Sequence, residues 1–504
     1  MANPLSYLSF REFKRSLFNA IKQEDKTYLF FLFILTLWAL VVRAIYLSQP
    51  MRYDEAYTYI VFVARPLSIG LSSYTVPNNH IFHTLLAHIF CSFLGNHPWV
   101  VRLPAFLAGV AMVPASYLAM RLLYNKNAAI LTAAFVASSE IFIEYSSNAR
   151  GYTIICLFFL LILSLAKYLK DHDNSFAWLL FILLSSLGFY TVFAMSYPFG
   201  VILIWLLLSA VLKDIKISWG TFLKRLLAAI FLTVVLVFVF YSPVIMTSGI
   251  QPIVGNTYIK KFIAPESLLP FLQSINQIVE RGLLNVPGPL SLILLSGFIV
   301  SVVAHKKIGT DKISIFWAVV IWIGVLLSFH GMALQERFWL FVLPVYFGVG
   351  CAGINYLLSF FNRKTSKDLT FVVLILAAII SVELSYNLFS SRLIERSDPG
   401  IFREAEASAC FLKNRLKPND AVVTSWLIDP ALGYYFMLHH IPVGFLEKDL
   451  STVDRIFLVV KDKEDASDKL MRAVLRSNYP KPQLIKRFES GRIYLINGKN
   501  TRSN

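Results

Sequence analysis

Apolar runs about as long as a bilayer is thick recur from residue 28 to residue 389. A helix needs roughly 20 such residues to cross the hydrocarbon layer. Inside it, every backbone polar group must be satisfied within the protein, which an unbroken apolar helix does by itself. Composition agrees. Hydrophobic residues make up 57% of the 504 and charged residues 15%, where soluble domains carry about 25% charged. The chain therefore reads as a polytopic α-helical membrane protein. Collagen, coiled coil, disulfide scaffold and disordered chain are excluded. The net charge of +17 would suggest nucleic acid in a soluble protein. Here Lys and Arg gather in short loops between apolar runs, the pattern of cytoplasmic loops, and no nucleic-acid partner is expected. Four cysteines are too few for a disulfide framework. The first 27 residues are polar and basic with no small-residue cleavage site after the first run, so no cleaved signal peptide is expected.

The basic start precedes a first span at 28–48, which puts the N-terminus in the cytoplasm. Segment 80–95 is apolar but short and holds three histidines; it reads as a helix lying at the interface. Further spans are expected near 99–121, 128–146, 150–169, 176–193, 197–212, 222–243, 288–304, 312–330, 338–361 and 370–389. With 80–95 not crossing, the clusters Arg121/Lys126, Lys167/Lys170, Lys213/Lys216, His305/Lys306/Lys307 and Arg363/Lys364/Lys367 all fall inside. That gives about 11 spans and a C-terminal tail outside. The tail is far more charged than the rest and alternates helical segments (400–416, 430–438, 465–477) with strand segments (421–426, 455–460, 483–488, 492–496), a small α/β domain. Glu489-Ser490-Gly491 is a candidate hairpin turn. The expected organisation is a cytoplasmic segment 1–27, a membrane domain 28–390 and an outer α/β domain 391–504.

Three unusual clusters fall on the outer side. Arg52-Tyr-Asp-Glu-Ala-Tyr57 follows the first span. Adjacent carboxylates at a membrane surface are costly unless used or paired. Asp54 suits a general base, or else it caps a short helix. The second cluster is Asn78-Asn79-His80 with His83 and His88; His80 and His83, spaced i and i+3, can face one ion, one sugar or simply their neighbours, and spacing fixes no third metal ligand. The third combines Glu144-Tyr-Ser-Ser-Asn-Ala-Arg150-Gly-Tyr152 with Gln335-Glu-Arg337-Phe-Trp339. Arginine is disfavoured at outer ends of spans, so these two either pair with Glu144 and Glu336 or recognise a phosphate through the planar guanidinium fork. A long outer loop, 244–287, adds Lys260 and Lys261 and an amphipathic stretch at 265–284. Asp171-His172-Asp173 has a metal-binding spacing, but it lies in a short cytoplasmic turn and is read as incidental.

With these motifs in view, the chain resembles the C-type membrane glycosyltransferases, in particular the bacterial subgroup related to protein O-mannosyltransferases and to the aminoarabinose transferase of lipid A. The resemblance rests on Arg52-Tyr-Asp-Glu55, Asn-Asn-His before an interfacial helix, Val101-Arg-Leu-Pro104, Asn148-Ala-Arg-Gly-Tyr152 and Glu336-Arg-Phe with Leu343-Pro344. It covers roughly 28–390. Paired prolines common in the subgroup are replaced by Asn78-Asn79-His80, which leaves the acceptor open. The resemblance implies an integral enzyme of the bacterial plasma membrane that takes a sugar from a polyprenyl-phosphate donor to a hydroxyl of an envelope lipid, glycan or protein, with inversion, on the extracytoplasmic face. It implies Asp54 as base with Glu55 beside it, Arg337, Arg150 and Lys260 at the donor phosphate, and Asn79, His80, His83, Tyr57, Glu144 and Tyr152 around sugar or acceptor. No protein-bound metal is assigned; a divalent cation as cofactor stays open. The competing readings are a ligase for lipid-linked oligosaccharides and a polyprenyl-lipid transporter without chemistry. The second predicts charges buried mid-span and internal inverted repeats, neither of which is evident.

Overall fold

A computed structural model describes residues 4–74, 78–254, 286–328, 336–361, 366–390, 401–425, 428–450, 453–461 and 482–497, with 273, 276, 279, 280, 282 and 283 singly. Among the described residues, seven helices are long and apolar enough to cross a membrane: Lys26–Ile45, Pro98–Leu123, Tyr152–Asp171, Phe193–Val211, Trp219–Ser248, Val342–Phe360 and Leu369–Ser390. Helices Lys126–Ser138 and Glu140–Ser146 pass the same test of length and composition only as a pair, bent by 58° at the break between them. Shorter apolar helices at Ser175–Thr191, Gly288–Val303 and Ile315–Leu326 occupy the three remaining spans expected from sequence. Ile81–Leu94, at 14 residues, is too short to cross. The chain is a multi-span membrane protein with a small C-terminal sheet.

By internal packing it divides into two compact units: Met1–Leu47, Ser72–His83 and Arg102–Leu393 form the first, and Ser48–Leu71, Thr84–Val101 and Ile394–Asn504 the second.

In the first unit the bend has an identifiable plug. The break at Ser139, which is extended, leaves the last carbonyls of Lys126–Ser138 without helical partners. The fully buried Arg43 guanidinium from the first span donates to Ala137 O at 2.7 Å, Val136 O at 2.9 Å and, through Nε, Ser146 Oγ at 3.1 Å. Gly109 faces this plug; a Cβ there would sit 2.0 Å from Ser146 Oγ. Arg102 anchors the end of the first span by donating to Leu47 O at 2.7 Å. Where helices end in basic loops, ion pairs tie neighbouring segments: Lys167 to Asp311 at 2.7 Å, Lys170 to Asp214 at 2.8 Å and to Asp311, and Arg121 to Glu24 at 2.8 Å. Asp171 and Asp173 belong here, paired with Lys216 and Arg225 at 2.9 Å each.

In the second unit, strands β1 (Asp420–Thr424), β2 (Arg455–Lys461), β3 (Gln483–Arg487) and β4 (Gly491–Asn497) make a sheet of order β1-β2-β4-β3. β1 and β2 run parallel and need a crossover; helix Asp429–Leu438 lies in that connection. β4 runs antiparallel to both β2 and β3. Ala421, Ile456, Leu458, Val460 and Ile496 form the sheet core. The expected hairpin turn joins β3 to β4, fixed by Glu404, whose carboxylate accepts from Ser490 N at 2.8 Å. All four expected strands are present. Helix Ala405–Lys413 is shorter than the 400–416 expected, and 465–477 lies outside the described residues.

The first outer loop is built into this unit. Arg52 pairs with Ile401 in an isolated antiparallel bridge. Met51 N–H donates to Tyr435 Oη at 3.2 Å, and the Tyr59 ring meets Tyr434 edge-on at 4.9 Å. The Tyr434 hydroxyl donates to Asn96 O.

Candidate active site

In the first unit a cluster forms where helix Tyr152–Asp171 begins. Gly151 precedes it, and its N–H donates to His80 Nδ1 at 2.7 Å. Only glycine fits: a Cβ would lie 2.2 Å from Thr191 Cγ2 and 3.0 Å from His80 Nδ1. Arg150 Nη1 donates to Asn78 O at 2.8 Å, and Asn79 Nδ2 donates to Ser73 O at 2.9 Å. Residues 78–80 are therefore held from three directions by short polar contacts, two of them made by the side chains of Asn79 and His80, which prolines would lack.

Tyr152 is the hub. His80 meets its ring edge-on at 4.8 Å, Tyr145 at 5.7 Å and Phe338 at 6.0 Å. The Arg150 guanidinium stands 5.9 Å from the ring centre and that of Arg337 5.8 Å. Tyr197 and Trp339 continue the aromatic wall, 4.9 Å apart. Two guanidinium groups thus share one aromatic ring, Arg150 buried and Arg337 half-buried, where low dielectric strengthens their attraction for an anion. Burial pushes His80 well below the usual histidine range, and Arg150, His83 and Arg337 push it the same way. Its ring is neutral at physiological pH.

An apolar cavity of about 210 Å³ lies in the same unit, lined by Phe298, Phe316, Val319, Ile323, Trp339, Val342, Val345 and Tyr346 among others. Trp339 carries it to within two residues of Arg337.

In the second unit the acidic pair lies on a short helix, Tyr53–Thr58. Its two carboxylates differ. Glu55 is fully buried, and its Oε2 accepts from Arg52 N–H at 2.9 Å, closing the helix start. Asp54 is half-buried; the helix starts at Tyr53, so Asp54 stands inside its first turn and not at the N-cap position that the capping alternative needs. The Tyr53 and Tyr57 rings flank Asp54 in sequence and stack at 6.2 Å. A single π turn, Tyr59–Val63, follows, a rare irregularity frequent at functional sites.

The residues singled out from sequence thus fall into two sets. His80, Arg150, Tyr152 and Arg337 share one cluster; His83 is buried one helical turn from His80, and Glu144 is buried on helix Glu140–Ser146. Asp54, Glu55 and Tyr57 share one helix. Asn79 is bound to backbone. Lys260 lies outside the described residues. Among the described residues no group of three His, Cys, Asp or Glu is arranged to hold a metal. Sequence reasoning missed Gly151 and Phe338; the spacing Arg-Gly-Tyr at a helix start was the available signal for the first.

Residues 78–246, about a third of the chain, match the family model described as dolichyl-phosphate-mannose-protein mannosyltransferase. No curated protein sequence matches significantly. Among solved structures, ArnT from Cupriavidus metallidurans in its apo state superposes with a TM-score of 0.59 at 12% identity, covering 92% of this chain and 97% of that one. The same protein bound to undecaprenyl phosphate gives 0.61 at 11% identity with the same coverage. The Archaeoglobus fulgidus oligosaccharyltransferase tethered to an acceptor peptide gives 0.52 at 13%, covering 94% of this chain and 74% of that one.

Proposed function

We propose that this chain, which has the C-type membrane glycosyltransferase fold of those structures, moves a sugar from a polyprenyl-phosphate donor to a hydroxyl of an envelope acceptor. The observation that carries the reading is the pair Arg150 and Arg337 around Tyr152, next in sequence to a wholly apolar cavity at Trp339. An anion-attracting cluster followed by an apolar slot suits an amphiphile with a phosphate head and an isoprenoid tail. At 210 Å³ the slot takes only the first isoprene units, leaving the rest to lipid. The family match and the bound undecaprenyl phosphate of ArnT support the same donor class.

The chemistry follows from what each partner lacks. The bond from the anomeric carbon to the phosphate oxygen breaks, and its electron pair leaves with a phosphate already stable as an anion. That oxygen needs cationic stabilisation more than a proton, the role of Arg337 and Arg150. The acceptor hydroxyl is a poor nucleophile, so its proton passes to Asp54 as the new carbon–oxygen bond forms. A single displacement inverts the anomeric centre. Glu55 holds the helix that presents Asp54.

On this reading the positive loops put the N-terminus in the cytoplasm of a bacterium, and the first loop and the C-terminal sheet outside the plasma membrane. Mass spectrometry of envelope lipids and glycans, from cells with the wild-type chain and with Asp54→Asn, tests the reading. Loss of one pentose or hexose from one species identifies donor sugar and acceptor together. Identical profiles would discard it.

A further inference from the structure

His80 has a second ring nitrogen for which the contacts so far described give no use. Gly151 N–H donates to Nδ1, so Nδ1 must carry a lone pair. In the neutral ring the proton then sits on Nε2. His80 is 1% exposed, and its Nε2 is buried with no hydrogen-bond partner among the described residues. A buried N–H donor without an acceptor is costly, and such groups in native structures call for an explanation. The neighbourhood supplies one: His80, Arg150 and Arg337 surround the same tyrosine ring, at 4.8, 5.9 and 5.8 Å from its centre.

Resting on the donor class proposed above, we infer that His80 is a third ligand of the donor phosphate, giving an uncharged Nε2–H hydrogen bond to an oxygen that the two arginines hold by charge. The division of labour has a chemical reason. Two guanidinium groups already attract the anion, and a third cation would hold the product phosphate after transfer and slow its release. A neutral donor adds direction without adding charge. Burial and the two arginines keep the ring in that state, while the Gly151 N–H fixes the tautomer. Asn78-Asn79-His80 acquires a function on this reading: the Arg150 side chain and the Gly151 backbone clamp the segment so that Nε2 faces the phosphate.

Amide side chains separate the two ring nitrogens. Asparagine can keep the acceptor near Nδ1 and loses the donor at Nε2; glutamine reaches the Nε2 position and loses the Nδ1 contact. Binding is measured on purified protein with undecaprenyl phosphate, with the unphosphorylated polyprenol and with inorganic phosphate as the other arms, alongside melting temperature. Wild type should bind the lipid phosphate and not the polyprenol. His80→Asn should melt near wild type and bind the lipid phosphate about tenfold to a hundredfold more weakly, the usual scale for a hydrogen bond to a charged group. Inorganic phosphate competing in wild type and not in His80→Asn places the contact on the head group. His80→Gln and His80→Leu, both lacking the Gly151 contact, make the second comparison: glutamine should keep most of the affinity per folded molecule and leucine should lose it. Equal affinity in His80→Asn and wild type, or in the glutamine and leucine variants, overturns the role of His80 and leaves the donor class standing. Failure of wild type to prefer undecaprenyl phosphate over the polyprenol overturns the donor class itself.

Discussion

Tyr435 and Met51 are 384 residues apart in sequence and joined by one hydrogen bond: the Met51 N–H donates to the Tyr435 hydroxyl at 3.2 Å, with both residues buried. Met51 is three residues before Asp54. The C-terminal sheet domain is therefore part of the support of the acidic helix, through helix Asp429–Leu438.

Tyr435→Phe leaves the Met51 N–H buried and unsatisfied, at a cost of about 1–3 kcal/mol. Expected are a lower melting temperature and slower turnover with donor binding unchanged, since the arginine cluster belongs to the other compact unit. Comparing binding isotherms with rates on the same sample checks this; a matching loss of donor affinity would refute the separation.

Asp54 and Glu55 should fail differently. Asp54→Asn keeps shape and removes basicity, so turnover should fall about 10²–10⁴-fold with the melting temperature unchanged. Glu55→Gln weakens the bond to Arg52 N–H and should show mainly as lost stability. Steady-state rates and thermal melts on both variants distinguish the two; near-normal turnover by Asp54→Asn removes the base.

Arg337→Ala should weaken donor use far more than acceptor use, because only the donor carries the anion. Arg337→Lys should rescue only in part, since a point charge lacks the two-pronged fork. Separate titrations of the KM for donor and for acceptor decide it. A lowered melting temperature with unchanged donor affinity would show that Arg337 serves folding alone.

Gly151→Ala forces a methyl group against Thr191 Cγ2 and His80 Nδ1. Overpacking of this kind costs about 1–3 kcal/mol. Thr191→Ser removes the nearer obstacle and should restore part of the lost melting temperature in the double variant while donor affinity, which depends on His80, recovers less. Full recovery of both would place the strain at Thr191 alone.

A reporter fused after Ser390 should read as extracytoplasmic and one fused near Lys364 as cytoplasmic. The opposite pattern would overturn the proposed orientation.

The helices and the sheet were legible because their signals are local. Apolar length marked the spans, and Ile456 to Val460 marked β2 as a fully buried strand. Arg150 and Arg337 were legible as oddities, being charges that topology disfavours. The division between Asp54 and Glu55 was not, because it turns on a helix that starts at Tyr53, which leaves Asp54 inside the first turn and lets Glu55 reach back to the Arg52 N–H. Nor was the His80 to Gly151 contact, which spans 71 residues and depends on how two segments meet. The Met51 to Tyr435 bond is longer-range still, and no pattern within either segment announces it.

Arg43 has a consequence for biogenesis. It enters the bilayer with the first span, but the carbonyls it caps, Val136 and Ala137, are synthesised more than 90 residues later. Between those moments a guanidinium at the end of a lone helix must be served by water, lipid head groups or the insertion machinery, because hydrocarbon offers it nothing. Arg43 thus ties the first span to the bent one in time as well as in space: until residues 136 and 137 are made, its guanidinium lacks the two carbonyls it caps in the finished fold.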